Sequence, residues 1–377
     1  MQRSINIHND TVLPIEDKLE QLHMCLIRSY ANEQIEIASV RCEEFGYKTP
    51  NFTTGGIYHL HGSAMINHTV HAWSLVLKVI QQASSEKDNP QHHNYWRREA
   101  LIYEAELLSS LPDEIYAPKG YFVEEQKDGT IWIWMEYLEG TPPSSQAQFE
   151  YVARLLGRFN AAYLAGSREL PDQSWLCRSW LGSWTTASRQ YAPAPDTYRQ
   201  YIQTARQKQI WTWFQKLTDH LDYHLDSLKR LPRVLAHQDL SPMNMFLTDH
   251  HLSLIDWQFM SISGTGEDLG KMFGVSMSLG AIPVKEYRVY REFLFDAYLG
   301  GMRDVDWQGD ERWARYGYCL STSLRSLWEV PQYFSLIARQ KSGLDSETYQ
   351  RIFQLGEIIT IHMEMASEAE SLRGYIP

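Results

Sequence analysis

No apolar run in the 377-residue sequence approaches the roughly 20 residues that a membrane helix needs, which argues against a membrane-spanning role. The first residues, Met1 to Thr11, are polar and carry no apolar signal-peptide core, so a soluble, cytoplasmic protein is expected. Cysteine is scarce: Cys25, Cys42, Cys177 and Cys319 form no CxxC pair and no zinc-ligand spacing. They read as reduced, buried thiols rather than a disulfide frame. Positive charge is also short, with 35 Lys and Arg against 46 Asp and Glu and a net charge of −11. Nucleic acid is thereby disfavoured as a partner, since phosphate backbones are held by a basic surplus. There is no Walker A lysine and no G-x-S-x-G elbow, which counts against P-loop NTPases and α/β-hydrolases. Gly264-Thr265-Gly266 is no dinucleotide fingerprint, because Ile262-Ser263 does not begin a βαβ unit. The pairs His92-His93 and His250-His251 lack partners at metal-ligand spacing and read as surface histidines.

With 44% hydrophobic residues the chain can bury a large core, and its length suits two packed lobes. Ile15, Leu19, Leu22, Leu26 and Ile27 fall at helical spacing. Thr53-Thr54-Gly55-Gly56 followed by Ile57 to Leu60 suggests a turn and a strand, with a further turn near His61-Gly62. Trp73 to Ile80 is short and β-rich, the pattern of a buried strand. A helix over about Tyr95 to Ser110 follows, then two strands between Tyr121 and Tyr137 around Lys127-Asp128-Gly129. After Gly140-Thr141-Pro142-Pro143 helical periodicity dominates, over Phe149–Leu164, Gln209–Leu231, Lys285–Gly300 and Arg312–Glu329. The expected organisation is an N-terminal helical segment (1–51), a β-rich lobe (52–139) and a helical lobe (140–377).

Inside the helical region lies Leu235-Ala236-His237-Gln238-Asp239-Leu240-Ser241-Pro242-Met243-Asn244, then Leu254-Ile255-Asp256-Trp257-Gln258. A short strand leads into a polar loop, a second strand follows, and a carboxylate ends a third. Phosphoryl transfer explains those residue types, because its catalysis is positioning plus electrostatic stabilisation. Asp239 can accept a hydroxyl proton, and Asn244 with Asp256 offers the hard oxygen ligands that Mg²⁺ prefers. His237 is expected to brace the loop by hydrogen bonds.

This segment resembles the catalytic loop of the aminoglycoside phosphotransferase and choline kinase families, relatives of protein kinases, with their H-x-D-x-x-x-x-N and I-D-[WFL]. The resemblance implies an α+β, two-lobed protein-kinase-like fold, ATP as donor, Mg²⁺, and a small-molecule hydroxyl substrate. Gly266-Glu267-Asp268-Leu269-Gly270 is similar to the later D-L element, which gives Asp268 the role of loop support. Lys78 in Leu75 to Ile80 resembles the V-x-K strand and would meet phosphates, with Glu99 as its helical partner and Glu104 in reserve. Gly55 and Gly56 would approach the phosphates, and Ile131 to Gly140 looks like the hinge, with adenine near Glu136 and Leu138. Gly157-Arg158-Phe159-Asn160 departs from the Leu-His common in the corresponding helix, which leaves the substrate branch open. Acidic side chains at Glu267, Glu329 or Asp304 would suit a cationic, aminoglycoside-like acceptor, while Trp175, Trp180 and Trp184 read as core. The competing reading is a pseudokinase scaffold that binds nucleotide and regulates a partner. The presence of a base, a lysine and two metal-ligand types counts against it.

Overall fold

A computed structural model of the chain describes residues 5–45, 53–112, 115–191, 196–248, 251–339 and 345–377. His250 and the 46–52 connection lie outside those residues. The described chain forms an α+β fold with a β-sheet lobe followed by a helical lobe.

The first lobe is built on β1 (Asn6–Asn9), α1 (Leu19–Tyr30), β2 (Glu36–Glu44), β3 (Thr54–Ile66), β4 (Thr69–Ile80), α2 (Arg98–Glu104), β5 (Ile115–Tyr116), β6 (Gly120–Glu125) and β7 (Ile131–Glu136). Six of these strands make one sheet in the order β1-β2-β3-β4-β7-β6, with β1 and β2 parallel and the other pairs antiparallel. Alternation along β4 sends Trp73, Leu75, Leu77 and Val79 into a core with Leu22, Cys25 and Leu26 of α1. The opposite face packs Ile80, Ile133 and Met135 against Tyr95, Trp96 and Ala100. Lys78 follows the alternation onto that second face, toward α2.

Three expectations need correction here. Residues 1–51 are not a helical segment set apart from the β-rich lobe: β1 and β2 are strands of its sheet, and α1 is part of its core. The turn expected at His61-Gly62 lies instead at Asn67-His68, both at positive φ (49° and 64°), as a two-residue hairpin turn requires. Gly62 sits within β3 for another reason: a Cβ there would come within 2.0 Å of the Ser39 carbonyl oxygen. Gly55 and Gly56 are not a turn but the start of β3, at a register irregularity between Thr54 and Gly56.

The second lobe comprises α3 (Gln146–Leu164), α4 (Trp180–Tyr191), α5 (Asp196–Arg199), α6 (Ala205–Asp219), α7 (Leu221–Lys229), β8 (Arg233–Ala236), β9 (Met245–Leu247), β10 (Leu252–Leu254), β11 (Ser261–Gly264), α8 (Glu267–Ser278), α9 (Tyr287–Asp304), α10 (Glu311–Leu324), α11 (Ser326–Arg339) and α12 (Ser346–Leu372). The helices expected over 209–231 and 312–329 each divide, at His220 and at Arg325. Helix α3 starts at a capping box, with Ser145 and Gln148 satisfying each other's backbone N–H. It then runs so close to α9 that a Cβ on Gly157 would lie 2.0 Å from the Tyr298 carbonyl oxygen. This contact explains a glycine in the helix interior, where it is otherwise disfavoured. All four cysteines are buried and free. Among the described residues, no helix is long and apolar enough to cross a membrane.

Candidate active site

The polar loop is held between two small β units. β8 pairs antiparallel with β11, and β10 lies between β9 and β5. Chain direction reverses sharply at Gln238 (φ 60°) and at Asp256 (φ 62°), backbone states that are rare for side-chain-bearing residues and concentrate at functional sites. The Asp268 carboxylate, at the start of α8, accepts the N–H groups of His237 and Gln238, both at 2.9 Å. It is fully buried, and burial pushes its carboxyl up to about 6 against those two donors.

His237 joins the two halves of the loop. Its Nδ1 accepts the Asp239 N–H at 3.1 Å, and its Nε2–H donates to the Ile255 carbonyl at 3.0 Å. Those partners require the neutral Nε2–H tautomer. Burial holds the ring pKa down to about 4. A histidine depressed in the folded state is protonated first in the unfolded chain. Its contribution to stability is therefore present above the unfolded value of 6.5 and lost as pH falls toward about 4. Relative to His237→Gln, the wild type is expected to lose about 1.4 kcal/mol per pH unit across that window. Chemical denaturation of both proteins at several pH values measures it; parallel pH profiles would contradict the neutral, buried ring.

The structure brings Lys78, Glu99 and Asp256 together. The Lys78 ammonium lies 2.5 Å from Glu99 Oε2 and 2.7 Å from Asp256 Oδ1, so it ties β4 to α2 and to the second lobe at once. Burial pulls the Lys78 ammonium down, but the two carboxylates outweigh it and the net shift is upward. Asp256 moves the other way: burial opposes its charge, and Lys78 holds it below the usual range. Burial pushes the Glu99 carboxyl up; Lys78 opposes this, and the Asp256 carboxylate sharing that cation adds to it.

Asp239 and Asn244 stand side by side. The Asn244 Nδ2 donates to both the backbone oxygen and Oδ2 of Asp239, each at 3.0 Å. Burial raises the Asp239 carboxyl, while Lys271, 3.5 Å from Oδ1, works against that rise. Because Asn244 uses its amide nitrogen here, its side-chain oxygen is left to act as a ligand. Asp256 likewise engages Lys78 through Oδ1 and keeps a second oxygen. An amide oxygen and a carboxylate oxygen make a hard donor set of the kind that fits Mg²⁺.

Glu136 ends β7, where Tyr116 Oη and the Lys119 N–H donate to its Oε2 at 2.6 and 3.1 Å. Its own N–H donates to the Lys119 carbonyl at 2.9 Å. Leu138 lies beyond it in the connection to α3, half-buried. At Gly140 a Cβ would come within 2.8 Å of Phe246 Cβ, so the connection runs tight against β9. Gly55 and Gly56 lie across from Val79 and Ile80 at the Lys78 end of the sheet, not over Lys78 as a loop.

Several residues that position the site were missed in the sequence. Arg98 is fully buried, and its guanidinium donates to the carbonyls of Pro90, His92, His93 and Gln258 at 2.7–3.0 Å. It locks α2, and thus Glu99, to the turn after Asp256. Asn160 donates to the Leu235 carbonyl at 3.0 Å and accepts the Tyr298 hydroxyl at 2.8 Å, steadying the strand before the loop. A polar side chain on the apolar face of α3 was the available signal. Lys271 follows Asp268 by one turn of α8, a spacing that marks the same face.

Residues 63–306 match the family model described as "Phosphotransferase enzyme family". The chain belongs to this family, with its aminoglycoside phosphotransferase and choline kinase branches, and its reaction class is phosphoryl transfer to an alcohol group. Among solved structures it is similar to a choline kinase from Cryptosporidium parvum Iowa II, at 12% identity and a TM-score of 0.54, with 89% of this chain and 93% of that one covered. It is also similar to the amicoumacin kinase hAmiN, at 15% identity and a TM-score of 0.51, covering 93% and 96%. A microcompartment-associated aminopropanol kinase aligns at 14% identity and a TM-score of 0.50, covering 93% and 98%. At such identities the likeness speaks for the fold, which is protein-kinase-like. No protein of curated function is similar to it in sequence at a significant level.

Proposed function

We propose that the chain is an ATP- and Mg²⁺-dependent small-molecule kinase, with Asp239 as base, Asn244 and Asp256 as metal ligands and Lys78 at the nucleotide phosphates. The observation that carries this reading is the Lys78 ammonium bound at once by Glu99 and Asp256, beside an Asp239–Asn244 hydrogen bond. A buried lysine with two carboxylates is poised to meet the negative charge of phosphate oxygens. Mg²⁺ held by Asn244 and Asp256 would neutralise those oxygens when bound. Adenine would lie against the connection after β7. Its supports are Leu138, whose N–H takes part in no hydrogen bond among the described residues, and Glu136, whose carboxylate is fixed by Tyr116.

The chemistry is a single displacement. The acceptor oxygen forms a bond to the γ-phosphorus as the bond to the β,γ-bridging oxygen breaks. ADP leaves with that electron pair, and the hydroxyl proton passes to Asp239. Burial, which lifts the Asp239 carboxyl, makes it a better proton acceptor. Lys271 beside Oδ1 opposes that rise.

The acceptor is a small hydroxyl compound. A cationic, amine-bearing acceptor was expected from Glu267, Glu329 and Asp304, but these acids are committed elsewhere. Glu267 accepts the Gly264 N–H at 2.7 Å, and buried Glu329 accepts the Ser278 hydroxyl and pairs with Arg325. Asp304 is bound by Arg154 at 2.7 and 2.8 Å. Recognition of an amine therefore draws no support from them. The reading is tested by ADP release from Mg·ATP across amino alcohols, sugars, hydroxy acids and antibiotics. Acceptor-dependent release supports the kinase; Mg²⁺-dependent nucleotide binding without release favours the scaffold.

A further inference from the structure

A small cavity lies between α4, α8 and the α10–α11 junction. Trp180, Leu181, Trp184, Gln238, Glu267, Lys271, Ser321 and Arg325 line it. Its volume is about 10 Å³, room for about one oxygen. Its lining residue Lys271 lies 3.5 Å from Asp239 Oδ1, so the cavity neighbours the base.

Two buried donors on its walls lack an acceptor. Trp180 is 2% exposed and its Nε1–H finds no acceptor among the described residues; neither does the Nε–H of Arg325, a residue 8% exposed. A buried donor left unpaired costs about 1–3 kcal/mol, so two of them beside one cavity call for an acceptor group. Lys271 adds a cation. Its Nζ lies over the Trp180 ring at 4.8 Å and the Phe259 ring at 5.7 Å. Among the described residues its one ion pair is the long 3.5 Å contact with Asp239 Oδ1.

The acids nearby are each engaged by other groups as well. Glu267 is turned to the Gly264 N–H, 3.9 Å from Arg233, and Asp268 to the loop N–H groups. Glu329 balances Arg325 from one side only, at NH2, 3.5 Å away. When Asp239 takes a substrate hydroxyl proton, Lys271 loses part of its nearest counter-charge. A second negative group next to that hydroxyl would replace it.

Resting on the kinase reading above, we infer that the acceptor is a hydroxy acid whose carboxylate is held by Lys271, Arg325 and Trp180 Nε1–H, with its hydroxyl at Asp239. Two cations and an indole N–H suit a carboxylate, where charge-assisted bonds are about twice as strong as neutral ones.

The test compares short hydroxycarboxylates with their amides and with the matching amino alcohols, reading acceptor-dependent ADP release and, separately, Mg·ATP binding. The expected result is turnover of at least one acid with kcat/KM about 10–100-fold above its amide, the ratio given by one or two charged hydrogen bonds. Lys271→Met is expected to remove about tenfold of that acid-to-amide ratio, and Lys271→Arg to restore part of it. Trp180→Phe, which keeps the ring under Lys271, should lower the ratio by a smaller factor. The ratio is the readout because a merely structural role for Lys271 would slow acid and amide alike. An equal response to acid and amide, a preference for the amine, or silence of every acid overturns the inference. The kinase reading is judged apart from it, by nucleotide binding and by turnover of any other acceptor.

Discussion

Asp239→Asn is expected to lower kcat by about 10²–10⁴-fold, the range for loss of a positioned general base. The substitution keeps the shape of the side chain and its ability to accept from Asn244 Nδ2, now 3.0 Å from Oδ2. It removes the charge that receives the hydroxyl proton and that faces Lys271 at 3.5 Å. Nucleotide affinity should change little, because Lys78, Glu99 and Asp256 retain their contacts. Single-turnover kinetics with an equilibrium titration of Mg·ATP separates the two quantities. A loss of turnover under tenfold, or a matching loss of nucleotide binding, would show that Asp239 is not the base.

Asp268→Ala is expected to destabilise the protein by about 2–5 kcal/mol, because two buried N–H groups would each lose their acceptor. Those groups, on His237 and Gln238, have no water to turn to: both residues are buried, at 0% and 2% exposure. Set against a typical total of about 5–15 kcal/mol, the loss is large. Asp268→Asn, which retains one acceptor oxygen, should fall between wild type and alanine. The folded fraction should also turn over more slowly, since Asp239 would lose the anchor that sets its approach, and small misplacements cost about 10²-fold. Denaturant titration of the three proteins, with kcat measured at low temperature, checks both effects. A change below about 1 kcal/mol for alanine would mean that the loop is held by other contacts.

Legibility followed sequence separation. His237, Asp239 and Asn244 lie on one loop and Asp256 closes the next strand, so their pattern is local and visible in one line of residues. Lys78 and Glu99 could be reached through order and spacing. Residues acting across the fold left weaker marks. Arg98 binds the Gln258 carbonyl 160 residues away, and nothing near Arg98 in the sequence announces that. Lys271 and Arg325 meet near Asp239 only because α8 and α10 pack together. The N-terminal strands were missed for another reason. β1 is four mostly polar residues at a sheet edge, where burial imposes little pattern. β2 does alternate, with Ile37, Val40 and Cys42 less exposed than their neighbours, but an irregularity after Ile37 breaks the period of two. Gly55 and Gly56 drew attention as a turn because glycine permits one; here Tyr58 fills the space where a Gly56 side chain would stand.

The most direct measurement follows the γ-phosphoryl group itself, by ³¹P NMR of Mg·ATP with enzyme and an acceptor panel that includes hydroxy acids. Transfer through the Asp239 loop requires a new phosphate monoester signal growing in step with ADP, absent without acceptor and suppressed in Asp239→Asn. A γ-phosphoryl that stays on bound ATP with every acceptor, or passes only to water as inorganic phosphate, would contradict it.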